Sequence, residues 1–209
     1  MSDVQNDKPD AESAIRSACE AGDFRAATTA ALEAYGPQVL SFLAARLRSA
    51  SDGDEAFSLF AEDLWKGLPG FSFRCSVRSW AYALARNAAN RHASAPQHRR
   101  ERNLAISNHP SVANVIAQAR SATAVHQRTD VKAKIRALRE QLPPEDQTLL
   151  ILHVDRGLAW RDLAIVMHDQ GEQLDDEALT RESARLRKRF ERVRSTLREL
   201  AIAEGLLQG

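Results

Sequence analysis

The chain has 209 residues, 44% hydrophobic and 27% charged, with a formal net charge of +1, enough for one or two small cored domains. Aromatic residues make up only 6%, and Gly and Pro are sparse; Ala, Leu, Arg and Glu dominate, which favours helix over sheet. No run of alternating β-branched residues argues a strand, and no segment approaches the roughly 20 apolar residues needed to cross a bilayer.

In chain order, 1–10 is polar, lacks an apolar leader core and is expected to be disordered. Helical text follows from Ala11 to about Ala50, with expected breaks at Gly22-Asp23 and at Gly36-Pro37. Val39, Leu40, Phe42, Leu43 and Leu47 supply its apolar face. Ser51-Asp52-Gly53-Asp54 reads as a turn and N-cap. In the helix behind it, Ala56, Phe57, Phe60, Ala61, Leu64 and Leu68 keep helical spacing up to Pro69-Gly70. Its carboxylates, Asp52, Asp54, Glu55, Glu62 and Asp63, form an acidic block beside Trp65 that suits a basic partner surface. An ordinary amphipathic helix with acids at its N-terminus explains the first three equally well. Paired carboxylates raise glycoside chemistry, but no substrate cleft is legible, and an enzyme is not expected.

After the loop Phe71–Ser76, a helix from about Val77 to His92 is expected to bury Val77, Trp80, Ala81, Leu84 and Ala88. Its aromatics interleave with Arg and Asn, and Arg99 and Arg100 follow; stacking surfaces, amides and guanidinium groups are what single-stranded DNA recognition uses. Core packing is the better reading of Trp80, whereas Tyr82 and Arg86 lie on another face and are candidates for ligand contact. His92 and His98 are read as polar surface, and no metal or cofactor is expected. Cys19 and Cys75 lack any zinc-type spacing and read as reduced, isolated thiols of an intracellular protein. The stretch from Ser94 to Thr129 reads as a linker, with a short helix around Val112–Ala119.

A second module begins near Asp130, with helices over Val131–Leu142, Glu145–Val154 and Trp160–Met167, then an acidic loop. The last helix combines two features. Leu186, Phe190, Val193, Leu197 and Leu200 share one face. Arg181, Arg185, Arg187, Lys188, Arg189, Arg192, Arg194 and Arg198 cover the rest. A short helix, a connection and a basic helix match a helix-turn-helix, whose last helix lies in the major groove; the connection from His168 to Glu177 is longer than that motif's tight turn. A solvated charged helix in a bundle is the competing reading, but so many cations repel one another unless an anion neutralises them.

Two runs of residues carry a family resemblance. Leu68-Pro-Gly-Phe-Ser-Phe-Arg-Cys-Ser-Val-Arg-Ser-Trp-Ala-Tyr-Ala-Leu-Ala-Arg-Asn87, with Trp65 ahead of it, resembles the second region of bacterial extracytoplasmic-function sigma factors. Gly157-Leu-Ala-Trp-Arg-Asp-Leu-Ala164 and Arg189-Phe-Glu-Arg-Val-Arg-Ser-Thr-Leu-Arg198 are similar to the fourth region. The resemblance implies an all-α chain of two small helical domains, a bundle over 24–103 and a helix-turn-helix over 130–203. A tail and short helix (1–23) precede them, and a linker (104–129) joins them.

It implies a non-enzymatic promoter-specificity subunit in the cytoplasm, bound to the clamp helices and flap of core RNA polymerase and to promoter DNA; it also admits an anti-sigma partner. Polymerase docking falls to Asp52, Asp54, Glu55, Glu62, Asp63 and Trp65. Melting and reading the minus-ten element falls to Arg78, Tyr82, Arg86, Asn87, Asn90, Arg91, Arg99 and Arg100, with a flipped base held near Ala93–Gln97. The minus-thirty-five element falls to Arg181, Arg185, Arg187, Lys188, Arg189 and Arg192. Ser58-Leu59 stands where the family has Gln-Glu. A stand-alone helix-turn-helix regulator remains the alternative.

Overall fold

A computed structural model describes residues 8–94, 130–168 and 174–207. The described residues are all-α: eight α-helices and no strand. They are α1 (Lys8–Glu20), α2 (Phe24–Leu47), α3 (Ala50–Gly67), α4 (Val77–Ser94), α5 (Asp130–Glu140), α6 (Pro144–Leu150), α7 (Trp160–Met167) and α8 (Asp176–Ala203). The chain divides into two compact units, Met1–Ala124 and Val125–Gly209. No described helix is long and apolar enough to cross a membrane.

In the first unit, α1 packs on α2, and α2, α3 and α4 pack on one another. The core is Ile15 from α1; Tyr35, Val39, Phe42 and Leu43 from α2; Phe57, Phe60 and Leu64 from α3; and Val77, Ala81, Tyr82, Ala85 and Ala88 from α4. Helix α1 starts at Lys8, inside the tail expected to be disordered, and belongs to this core. Its Glu12 explains why. The carboxylate accepts the Tyr35 phenol at 2.7 Å and the first backbone amides of α4, Val77 at 2.9 Å and Arg78 at 3.0 Å. A helix N-terminus leaves such amides unpaired and favours negative charge. Glu12 supplies both needs from 65 residues away.

Two sequence expectations fail in this unit for the same reason. The break at Gly36-Pro37 is absent: α2 runs through Pro37, because Leu32, Tyr35, Gly36, Val39 and Leu40 are buried on both sides of it. Packing along the whole helix outweighs the one hydrogen bond that proline removes. The turn at Ser51–Asp54 is likewise helix. The cap is Ser49, whose Oγ accepts the Asp52 amide at 3.1 Å, and Gly53 lies inside α3.

Gly53 is needed there because a Cβ would stand 2.9 Å from the backbone of Ala44 on α2. Helices approach this closely only over small residues. Gly53→Ala is therefore expected to cost about 1–3 kcal/mol in denaturant unfolding, since the crossing must open. Gly70→Ala, where a Cβ meets nothing within 4 Å, is the control and should be nearly neutral.

In the second unit, Pro144 opens α6, and the buried Gln147 amide donates to the Leu142 carbonyl at 2.7 Å, closing the end of the turn after α5. The chain continues from α6 into a π-helical turn, Ile151–Asp155, and reverses at Gly157, whose φ of +65° suits glycine. Arg139 of α5 donates through Nη1 to both carboxylate oxygens of Asp155, at 2.8 and 3.1 Å. Helix α8 packs on α5, α6 and α7. Leu142, Leu150 and Val193 form a core with Phe190 and Leu197 against it. Helix α7 matches its expected span, α5 ends two residues before the expected Leu142, and the expected helix Glu145–Val154 is covered by α6 and the π-helical turn that continues it.

Candidate nucleic-acid interface

Helix α8 begins with Asp175 as N-cap, accepting the Ala178 amide at 2.7 Å, with Asp176 and Glu177 in the first turn. Its inner stripe is Leu179, Ser183, Leu186, Phe190, Val193, Leu197 and Ala201, each buried or half-buried. The anchor is an aromatic cluster. Phe190 meets the edge of His153 (centroids 4.9 Å apart) and of Trp160 (5.5 Å), and His153 lies 4.0 Å from Trp160. Ser183 donates to the Trp160 carbonyl at 3.2 Å, tying α8 to the start of α7. His153 was not anticipated from sequence; its Nδ1 lies 3.0 Å from the Leu158 carbonyl across the Gly157 turn.

With that stripe docked, the opposite side of α8 is cationic and exposed: Arg181, Arg185, Arg187, Lys188, Arg192, Arg194 and Arg198 all face solvent. Arg181, Arg185 and Arg194 pair with Glu177, Glu182 and Glu191 one turn away. Exposed pairs of this kind are weak and exchange readily for a stronger anion. Lys188, Arg192 and Arg198 carry no ion pair among the described residues. Arg189 is the exception within the expected set. Its Nε binds Asp146 of α6 at 2.6 Å, half-buried, so it braces the helix rather than facing outward. Asp169 and Glu172 of the acidic loop lie outside the described residues, and α8 starts at Asp176.

In the first unit the expected ligand-contacting residues separate. Arg78, Asn87 and Asn90 are half-buried, and Arg91 is exposed. Tyr82 and Arg86 are not on the surface: they are 1% and 7% exposed. Tyr82 meets the edge of Phe42 at 5.7 Å. The expectation for both is corrected by the placement of α4, which packs against α2 and α3 and is alanine-rich, so neighbours cover it on several sides. A helix surrounded in this way has no single apolar face for periodicity to find. Trp80 is half-buried, stacked on Phe71 (4.4 Å, 19°) with Gly67 beneath its indole. Phe71 in turn meets Phe73, which has a φ of +55° and carries the Arg16 guanidinium 4.4 Å over its ring. Arg99, Arg100, His98, the stretch 112–119 where a short helix is expected, and residues 95–97 of the expected base-holding segment lie outside the described residues.

The acidic helix is also partly spent internally. Trp65 is 49% exposed. Asp63 pairs with Arg91 of α4, joining one residue of each expected set, and Glu62 pairs with Lys66. Asp52 and Glu55 turn toward His92 of α4, which is 3% exposed rather than on the surface as expected. Ser58 is fully buried with its hydroxyl donating to the Asp54 carbonyl at 3.2 Å, so it offers nothing to a partner. Cys19 and Cys75 are half-buried; burial, then the charge of Glu20, pushes the Cys19 thiol up. Compared with protein-family models, with curated proteins and with solved structures, the chain has no match.

Proposed function

We propose that this chain is a sigma factor of the extracytoplasmic-function kind: a non-catalytic, cytoplasmic subunit that directs core RNA polymerase to particular promoters. The observation that carries the reading is the cationic outer side of α8, held outward by an apolar stripe and the Trp160–Phe190–His153 cluster. Arginine's planar fork suits phosphates and guanine edges. In this reading Arg181, Arg185, Arg187, Lys188 and Arg192 hold the paired upstream element. The first unit takes the opened strand through Arg78, Asn87, Asn90 and Arg91, joined on sequence grounds by Arg99 and Arg100. Polymerase docking draws on Trp65, which is exposed, and on the α3 carboxylates Asp52, Asp54, Glu55, Glu62 and Asp63.

The resemblance of 68–87 to the second region of that family supports the division of labour. A gel shift with and without core polymerase tests it. Specific binding that needs core enzyme supports the reading. Tight binding by the free chain to a twofold-symmetric site would instead make it a stand-alone regulator. Absence of any salt-dependent DNA affinity would exclude both.

A further inference from the structure

Asp52 and Glu55 stand one turn apart on α3, and His92 reaches them from α4 across the seam between the two helices. The Nε2 of His92 lies 3.1 Å from Oε2 of Glu55 and 3.7 Å from Oδ1 of Asp52, and the three ligand atoms lie within 4.8 Å of one another. His92 is 3% exposed, so its imidazole is fixed by the helix packing, while the carboxylates are half-buried and open to solvent on one side. The Ser49 cap fixes the backbone of Asp52 at 3.1 Å, setting the helical turn that aligns both acids.

The spacing matches a coordination shell. Zinc binds histidine nitrogen and carboxylate oxygen at about 2.0–2.2 Å, so ligand atoms at two corners of a tetrahedron stand roughly 3.4 Å apart. The two separations from Nε2 bracket that value. One neutral imidazole and two carboxylates give a donor set of charge −2, which balances a divalent cation and leaves a fourth corner toward solvent for water.

We propose that Asp52, Glu55 and His92 form a binding site for a divalent transition-metal cation of the zinc type, clamping α3 to α4. The site does not depend on the DNA-binding reading. Metal bridging the seam fixes α3 against α4 and withholds two carboxylates from any partner of α3. Without metal, His92 Nε2 and the Glu55 carboxylate stand at hydrogen-bonding distance, 3.1 Å, and the two states are separable by experiment.

The test uses the full chain, freed of metal by chelation and titrated with Zn2+ and, for its visible spectrum, Co2+. The expected result is one saturable equivalent, a ligand-field spectrum of nitrogen–oxygen coordination without thiolate charge transfer, and a melting temperature that rises with Zn2+. His92→Gln and Glu55→Gln should each weaken binding by at least about 100-fold. Cys19→Ser with Cys75→Ser should leave it unchanged. If His92→Gln fails to fold, Glu55→Gln, which keeps a hydrogen-bonding partner for the imidazole, decides alone. The proposal is overturned if the wild-type chain shows no saturable site, if binding survives in the folded variants, or if it disappears with the cysteines.

Discussion

If α8 reads promoter DNA as proposed, reversing Arg185 and Lys188 to Glu is expected to abolish duplex binding by the second unit and to leave its fold intact. Both side chains leave the outer side of α8, and Arg185 is 76% exposed with only a 3.4 Å pair to Glu182. The apolar stripe that docks the helix, Leu186, Phe190 and Val193, is untouched. Each phosphate contact contributes close to one unit to the slope of log affinity against log salt. Losing two and replacing them with repelling charges should lower the slope by about 2 and the affinity by roughly 100-fold or more. Binding measured across a salt series, beside circular dichroism of the variant, separates charge from fold. Undiminished affinity would show that another surface meets the DNA. Arg189→Ala is the instructive contrast: with its guanidinium on Asp146, its loss should appear first as reduced stability of the second unit.

Glu12→Ala should destabilise the first unit by about 3 kcal/mol, an unusual cost for one half-buried side chain in a terminal helix. Three hydrogen bonds converge on its carboxylate, two from the α4 amides and one from Tyr35. Removing it leaves those donors without an acceptor where α1, α2 and α4 meet. Hydrogen exchange should localise the loss to the α1–α4 amides, with α5–α8 unaffected. Equal loss in both units would contradict it.

The same contact sets an alkaline limit. Burial, then the bond to Glu12 and its charge, pushes the Tyr35 phenol well above the ordinary tyrosine value of 10.0, against a smaller opposing effect of Arg78. A group whose pKa is raised by folding stabilises fully below its unfolded pKa, and that stability fades as pH rises through the folded value. In a Tyr82→Phe background, tyrosinate absorbance should therefore be absent at pH 10, where an unfolded tyrosine is half ionised. Adding Glu12→Gln should bring its appearance to lower pH.

Much of this was legible in the sequence where the determinants were local and periodic. The spacing of Phe57, Phe60 and Leu64 and of Leu186, Phe190 and Val193 marks faces that the structure buries or half-buries. Trp160–Met167 has its expected bounds. What stayed hidden depends on partners distant in sequence. Nothing near Glu12 announces that its acceptors serve Val77 and Arg78. Gly53 and Pro37 carry the usual signs of a turn, and only the closeness of Ala44 and the burial on both sides of Pro37 keep them helical. Tyr82 and Arg86 lie off the expected stripe of α4, yet α2 and α3 cover more of that helix than one stripe. Nothing near His92 in the sequence announces Asp52 and Glu55, which meet it from α3.

Run-off transcription by core RNA polymerase, with and without this chain, on a library of promoter fragments is the most direct measurement. A cationic α8 serving promoter recognition predicts transcripts from discrete start sites only when the chain is present, lost with Arg185→Glu and Lys188→Glu. Failure of the folded chain to bind core polymerase or to direct any start site would contradict it.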